Sequence, residues 1–193
     1  MRIENEVLLD YSDVLIRPKR STLGSRKEVS LERGFTFRNY EPDFPDNGDD
    51  EHYRGIPIMA ANMDGVGTFA MADELGKRGI FTCLVKTYTA QELIDFFYGD
   101  RLNRTDYVAM SIGTSAADFK KLCTVYEKCQ DNLKYICIDI ANGYSEHFSE
   151  HVRNVRKRFP HLVIIAGNVV TADQTQELIL NGADIVKVGL GPG

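Results

Sequence analysis

Residues 135–148 read YICIDIANGYSEHF, an apolar run followed by a short polar turn and a helical pattern. Its first part, residues 135–140, is almost continuously apolar, as expected of a strand that is buried on both faces. Asp139 and Asn142 stand at the carboxyl end of that run. Ser145 then supplies a helix N-cap ahead of an amphipathic pattern over residues 145–159. The stretch therefore predicts one β/α unit with polar groups where its strand ends.

The same pattern recurs on both sides of this unit. Further apolar, strand-like runs cover residues 57–61, 80–85, 107–112, 162–166 and 184–188. Helical patterns cover residues 68–78, 115–129 and 171–180, the last with Thr171 as N-cap and Gly182 as the C-cap glycine. Strands that alternate with helices predict a parallel sheet with right-handed crossovers.

Small or polar residues follow every predicted strand, and their distribution distinguishes two α/β architectures. A doubly wound sheet concentrates such groups at one switch point, whereas a (β/α)₈ barrel places them in a ring around its top. Their even distribution favours the barrel, which needs eight strands and about 250 residues. We therefore expect the N-terminal portion of a TIM barrel with about six strands. As one domain over residues 1–193, it would have an N-terminal segment and acidic loop (1–55) before the β/α units (56–193).

Composition excludes several classes of protein. The net charge of −5 argues against binding to nucleic-acid phosphates. No run approaches the roughly 20 apolar residues of a membrane helix, and the first residues lack a signal peptide's apolar core. The cysteines lack CxxC spacing, so we expect a reduced, cytoplasmic protein; they are Cys83, Cys123, Cys129 and Cys137. The acidic segment 41–51 lacks calcium-loop spacing and is interpreted as a solvated loop.

Two motifs suggest chemistry but also have structural explanations. His147 to His151 spell H-x-x-E-H, which is a zinc-ligand pattern in some peptidases. An outer amphipathic helix explains the same residues, and we favour that explanation. Lys187 lies in an apolar strand, where it would be either a Schiff-base nucleophile or an ion-pair partner of Asp139 or Asp184.

Two glycine-containing turns also remain open to more than one interpretation. Residues 189–193 read GLGPG, which exposes backbone groups suited to a phosphate or a monovalent cation, or simply forms a tight turn. Residues 139–143 read DIANG, which would bind a ribose or an amide, or cap the helix that follows.

Together, these segments resemble the IMP dehydrogenase/GMP reductase family of (β/α)₈ barrels. The resemblance runs over essentially the whole chain. Its motifs are DVLIRPKRSTLGSR (13–26), IPIMAANMDGVGTF (56–69), CIDIANGYSEHF (137–148), AGNVVT (166–171) and GADIVKVGLGPG (182–193). The segment 86–114 has no room for the pair of regulatory domains that the dehydrogenases usually carry, and ANGYSEH and GPG are the forms typical of the reductases.

The resemblance implies an oxidoreductase of purine nucleotide interconversion. Its reductase branch performs NADPH-dependent reductive deamination of GMP to IMP and ammonia through a covalent cysteine intermediate. The implied nucleophile lies just beyond Gly193, so none of the cysteines present is catalytic, and a chain ending there is expected to be inactive. IMP dehydrogenase, a non-catalytic nucleotide-binding paralogue or fragment, and a Schiff-base enzyme using Lys187 are the alternatives.

The resemblance also implies ligand-binding positions and an assembly. The expected NADPH contacts are Ser25 and Arg26 (from a neighbouring subunit), Lys86, Ser111, Thr114, Asp139, Ile140, Ala141, Leu190 and Gly191. Asn62 and Met63 are expected to border the base of GMP or IMP, and the carbonyls of Gly191 and Gly193 to bind potassium. The implied assembly is a homotetramer that binds neither nucleic acid nor membrane.

The sequence departs from the family pattern in three places. The family usually has a histidine on each side of Lys86, but here the neighbours are Val85 and Thr87. Gly65 stands where threonine is usual, and the acidic loop 41–51 is longer than typical. We expect cofactor binding to persist because Lys86 is retained.

Overall fold

The computed structural model describes residue 9 and residues 11–42, 51–98 and 104–190. The chain divides into two compact units, Met1–Ser30 and Leu31–Gly193. The single domain expected over residues 1–193 remains a prediction, as does the exposure of the acidic loop, of which residues 43–50 lie outside the described ranges.

The described part of the first unit contains two short 3-10 turns, Tyr11–Asp13 and Arg26–Glu28. Ser25 begins the second turn, because its hydroxyl oxygen accepts the backbone N–H of Lys27 at 3.2 Å. This contact is a local cap of the kind that serine commonly provides.

Within the described part of the second unit, seven strands form one sheet in the order in which they occur along the chain. They are β1 Arg33–Phe35, β2 Tyr53–Ala60, β3 Ile80–Cys83, β4 Val108–Ile112, β5 Tyr135–Asp139, β6 Val163–Val169 and β7 Ile185–Val188. β1 pairs antiparallel with β2, and every later strand pairs parallel with the one before it. A sequential order has no reversal point, which a doubly wound sheet requires. The predicted α/β fold with barrel-like strand order is confirmed.

Helices connect the parallel strands. They are α1 Phe69–Gly76, α2 Ala90–Tyr98, α3 Arg104–Tyr107, α4 Ala116–Cys129, α5 Glu146–Arg158 and α6 Ala172–Leu180. The predicted caps are present: Ser145 Oγ accepts the N–H of Phe148 at 3.2 Å, and Thr171 Oγ1 accepts the N–H of Gln174 at 3.4 Å. Gly182 follows α6 with φ +105°, a left-handed conformation that glycine adopts without Cβ strain. No helix among the described residues is long and apolar enough to cross a membrane.

Sequence reasoning missed helices α2 and α3. A capping box precedes α2: Thr89 Oγ1 accepts the N–H of Glu92 at 3.3 Å, and the Glu92 carboxylate accepts the N–H of Thr89 at 2.8 Å. The signature T-x-x-E was present in the sequence and would have revealed this start. The helix is held in place by its buried side chains Leu93, Phe96 and Phe97.

The two faces of the sheet belong to different apolar clusters. One cluster joins strand residues such as Ile136 and Ile138 to helix residues such as Leu122 and Val152. The buried members of the other cluster, such as Tyr135 and Cys137, lie on strands, and Tyr107 of α3 packs against them. Adjacent strand positions point to opposite faces. Helices such as α4 and α5 therefore cover one face, and the polar groups at the strand ends border the other face.

Candidate active site at the carboxyl ends of the strands

Three polar side chains from distant parts of the chain meet at the carboxyl ends of the strands. Lys187 Nζ in β7 donates hydrogen bonds to Asp139 Oδ1 at the end of β5 and to Asn62 Oδ1, after β2, at 2.9 Å. We call this arrangement the Lys187 bridge (Lys187, Asp139 and Asn62). The side chains of Lys187 and Asp139 are 22% and 23% exposed, so both can be reached from solvent.

The charges in the Lys187 bridge favour the ion-pair interpretation of Lys187. Burial lowers the pKa of its ammonium, but electrostatic interactions with Cys137 and Asp139 and the hydrogen bond to Asp139 raise the pKa above its ordinary value. Schiff-base formation needs a neutral amine, which a raised pKa disfavours. Lys187 is therefore a fixed cation beside a carboxylate.

Two buried thiols lie next to this charged group. Cys83 and Cys137 are 1% and 0% exposed. The thiol of Cys83 donates its hydrogen bond to Met59 Sδ at 3.2 Å. Interaction with the Cys137 side chain, together with burial, raises the pKa of Cys83. A buried thiol with a raised pKa is a poor nucleophile, which supports the expectation that Cys83 is not catalytic.

The loop after β5 is tied to the end of β6. Backbone hydrogen bonds of 2.9 Å join Ile140 N to Gly167 O, Asn168 N to Ile140 O, and Gly143 N to Asn168 O. A Cβ on Gly143 would lie 2.7 Å from Asn168 O, so only glycine allows this approach. Asn168 Nδ2 also donates to Gly189 O at 2.9 Å. These contacts fix the predicted site residues of the DIANG segment against the start of the GLGPG turn.

Helix α4 supports the segment that carries Lys86. Lys121 Nζ donates to the backbone carbonyls of Lys86 at 2.6 Å and Tyr88 at 3.2 Å. Burial lowers the pKa of Lys121. The Lys86 side chain is itself exposed. Lys121 therefore holds the backbone of this segment in place. The histidines that are usual on each side of this lysine in the resembled family are absent here.

The other predicted site residues differ in their exposure. Met63 and Leu190 are 63% and 54% exposed, Thr114 is half-buried, and Ser111 is 1% exposed and paired in register with Cys137. Ser25 and Arg26 belong to the first unit and are exposed. Gly191 and Gly193, the predicted potassium ligands, lie outside the described residues.

Gly65, which stands where the resembled family usually has threonine, has a backbone conformation that disfavours threonine. Its φ is +75°, and a Cβ built there would meet no atom within 4 Å. The space is open, but a β-branched residue is strained at positive φ. The turn after β2, which carries Asn62 and Met63, therefore depends on glycine for its present shape.

The H-x-x-E-H motif lies on helix α5. His147 is exposed, whereas His151 is 8% exposed and packs edge-on against Phe119 with ring centroids 6.1 Å apart. Burial lowers the pKa of His151. Among the described residues, no group of three or more His, Cys, Asp or Glu side chains is arranged to hold a metal ion.

Tyr144 is a positioning residue that sequence reasoning missed. Its hydroxyl oxygen accepts the backbone N–H groups of Val170 and Thr171, both at 2.9 Å. It thereby joins the loop after β5 to the start of α6. No local sequence signal indicates such a contact, because the partners lie 26 and 27 positions away.

Comparison with known proteins identifies relatives along the entire chain. Residues 8–193 match the family model of the IMP dehydrogenase / GMP reductase domain. GMP reductase 2 of Homo sapiens is 51% identical over 191 residues, which cover 99% of this chain and 52% of that protein. GMP reductase of Klebsiella pneumoniae is 50% identical over 193 residues, which cover 100% of this chain and 53% of that protein. The chain thus spans about half the length of these curated relatives.

A solved structure supports the fold. The crystal structure of inosine 5'-monophosphate dehydrogenase from Legionella pneumophila superposes with a TM-score of 0.73 at 24% identity, covering 94% of this chain and 50% of that one. This likeness confirms the predicted TIM-barrel class, of which the described strands form part. The family-model match and sequence relatives such as the Klebsiella pneumoniae protein cover all of the β/α units. The chain therefore belongs to the IMP dehydrogenase/GMP reductase family.

Proposed function

We propose that the full-length protein catalyses the NADPH-dependent reductive deamination of GMP to IMP and ammonia. The bond between C2 of guanine and its exocyclic nitrogen breaks, ammonia leaves, and a C2–H bond forms with two electrons from the cofactor. The observation that carries this proposal is the identity of about 50% along the whole chain to proteins named GMP reductase.

The described residues fit a dinucleotide cofactor. Asp139 uses Oδ1 to bind Lys187, and its other carboxylate oxygen accepts no hydrogen bond from the described residues. That oxygen suits a ribose hydroxyl, and the exposed ammonium of Lys86 suits a phosphate. When bound, NADPH supplies the hydride, while the protein orients it and excludes competing reactions.

The remaining ligand contacts complete the proposal. We assign Ser25, Arg26, Ser111, Thr114, Ile140, Ala141, Leu190 and Gly191 to the cofactor. Asn62 and Met63 would border the purine, and the carbonyls of Gly191 and Gly193 would hold potassium. A homotetramer in the cytoplasm, with Ser25 and Arg26 reaching a neighbouring subunit, belongs to the same proposal.

The nucleophile in this proposal is a cysteine that follows Gly193. Its thiolate attacks C2, and the covalent intermediate is reduced after ammonia leaves. The burial of Cys83 and Cys137 supports this assignment, because a nucleophile must reach its substrate.

An activity assay tests the proposal directly. The complete polypeptide, given GMP and NADPH, should consume NADPH and release one ammonia for each IMP formed. A version that ends at Gly193 should show no turnover. Oxidation of IMP with NAD⁺, without GMP-dependent NADPH consumption, would assign the protein to the dehydrogenases instead. Binding of GMP and NADPH without turnover would indicate a non-catalytic paralogue.

A further inference from the structure

The Lys187 bridge joins two residues that the proposed function assigns to different ligands. Asp139 is on the cofactor side and Asn62 is on the purine side, and one ammonium donates to both. We propose that Lys187 is a positioning residue that orients Asp139 and Asn62 together, so that cofactor and nucleotide affinity depend on the same side chain. This inference rests on the proposed function.

The backbone places Lys187 where it can reach both partners. A Cβ on Gly167 would lie 2.6 Å from Lys187 Cβ and 2.7 Å from Lys187 O. The absence of that Cβ lets β7 approach β6 closely at this level of the sheet. Gly167 pairs in register with Asp139 on one side and with Lys187 on the other. The carboxylate and the ammonium therefore extend from the same level of the sheet, with β6 between their strands.

The hydrogen bonds of the Lys187 bridge determine which atoms remain for ligands. An ammonium has three donors, and two of them are used by Asp139 and Asn62. Because the oxygen of the Asn62 amide accepts from Lys187, its NH₂ group is directed elsewhere. That NH₂ makes no hydrogen bond to the described residues, so it can donate to an acceptor atom of a purine. Lys187 thus sets the amide orientation that nucleotide binding needs.

Replacement of Lys187 distinguishes this role from simple charge neutralisation. In the complete polypeptide, Lys187→Met should raise the KM for NADPH and the KM for GMP by about tenfold or more each, with a smaller change in kcat. Lys187→Arg keeps the charge and should change both values in the same direction but less. Lys157→Met removes an exposed lysine of α5 and should leave both KM values unchanged.

Two partner variants complete the experiment. Asp139→Asn alone should raise mainly the KM for NADPH, and Asn62→Ser mainly the KM for GMP. In the double variant of Lys187→Met and Asp139→Asn, the effects on NADPH should be less than multiplicative, because they remove one shared interaction. The thermal midpoint of each variant shows whether a change in KM comes from loss of folding. If Lys187→Met does not fold, the KM values of Lys187→Arg test the inference instead.

The outcomes separate the two proposals. A wild-type protein without GMP-dependent NADPH oxidation overturns the proposed function and this inference with it. An active wild type whose Lys187 variants change only one KM, or lower kcat with both KM values unchanged, overturns the inference alone. Joint changes in both KM values with non-multiplicative effects support it.

Discussion

Arg156 and Asp184 form a buried ion pair, with Arg156 Nη2 lying 2.5 Å from Asp184 Oδ2. The same carboxylate oxygen accepts the backbone N–H of Ile164 at 2.8 Å. Arg156 also donates to backbone carbonyls before and after β6, including Gly182 O at 3.0 Å and Leu162 O at 2.8 Å. The pair therefore fixes the entry into β7, the strand that carries Lys187.

Loss of the Asp184 charge should destabilise the fold strongly. The side chains of Asp184 and Arg156 are 0% and 14% exposed, so Asp184→Asn leaves a buried guanidinium without its counter-charge. We expect the free energy of unfolding to fall by roughly 3–5 kcal/mol. Glu74→Gln is a matched control, because the Glu74–Lys77 pair is 65% exposed on both sides and contributes about 1 kcal/mol or less. Similar losses in urea unfolding for the two variants would contradict the assignment.

Removal of the Lys86 side chain should weaken cofactor binding selectively. The ammonium of Lys86 is exposed, while its backbone is held by Lys121 at 2.6 Å, so Lys86→Ala removes a charge without removing support. We expect the dissociation constant for NADPH to rise about tenfold and that for GMP to change by less than about threefold. Titration calorimetry on the complete polypeptide measures both, with Lys157→Ala as the control. Unchanged NADPH affinity would refute the assigned role.

The loss of stability on substitution of Gly65 should depend on how readily the new residue adopts a positive φ, and not on the size of its side chain. Its φ of +75° is unfavourable for residues with a Cβ, although no atom lies within 4 Å of that position. Gly65→Ala should cost about 1 kcal/mol of unfolding free energy. Gly65→Asn should cost less, since asparagine adopts the left-handed region more readily. Equal losses for the two variants would show that space, and not φ, limits this position.

Tyr53 should make the protein less stable in alkaline solution. Burial, with a smaller contribution from Tyr107, raises the pKa of Tyr53 from 10.0 to about 12, and its hydroxyl donates to Ile56 O at 3.0 Å. Its stabilising contribution is therefore complete below pH 10, the unfolded value, and is lost as the pH rises towards 12.

Comparison with Tyr53→Phe isolates this contribution. The variant should be about 1 kcal/mol less stable than the wild type at neutral pH, because it lacks the hydrogen bond. Between about pH 10 and 12 the wild type should lose roughly 2 kcal/mol that the variant does not lose. Urea unfolding across this range measures the difference. A stability gap that stays constant with pH would rule out this titration.

Local features of the fold could be read from the sequence because they depend on neighbouring residues. The caps at Ser145 and Thr171 and the glycine after α6 were predicted and are confirmed. The start of helix α2 is equally local, since Thr89 and Glu92, three positions apart, form its capping box. Hydrogen bonds within one helical turn join residues at a fixed spacing, so the sequence pattern indicates them.

The recurrence of apolar runs and helical patterns also predicts the α/β class and the polar residues that follow each strand. The contacts of Lys187 with Asp139, 48 positions away, and with Asn62, 125 positions away, emerge only when the strands are assembled. Those contacts depend on strand order, on register and on the close approach of β7 that Gly167 permits. Residue spacing does not encode them, because long-range register is set by the packing of whole strands and not by the period of any one strand.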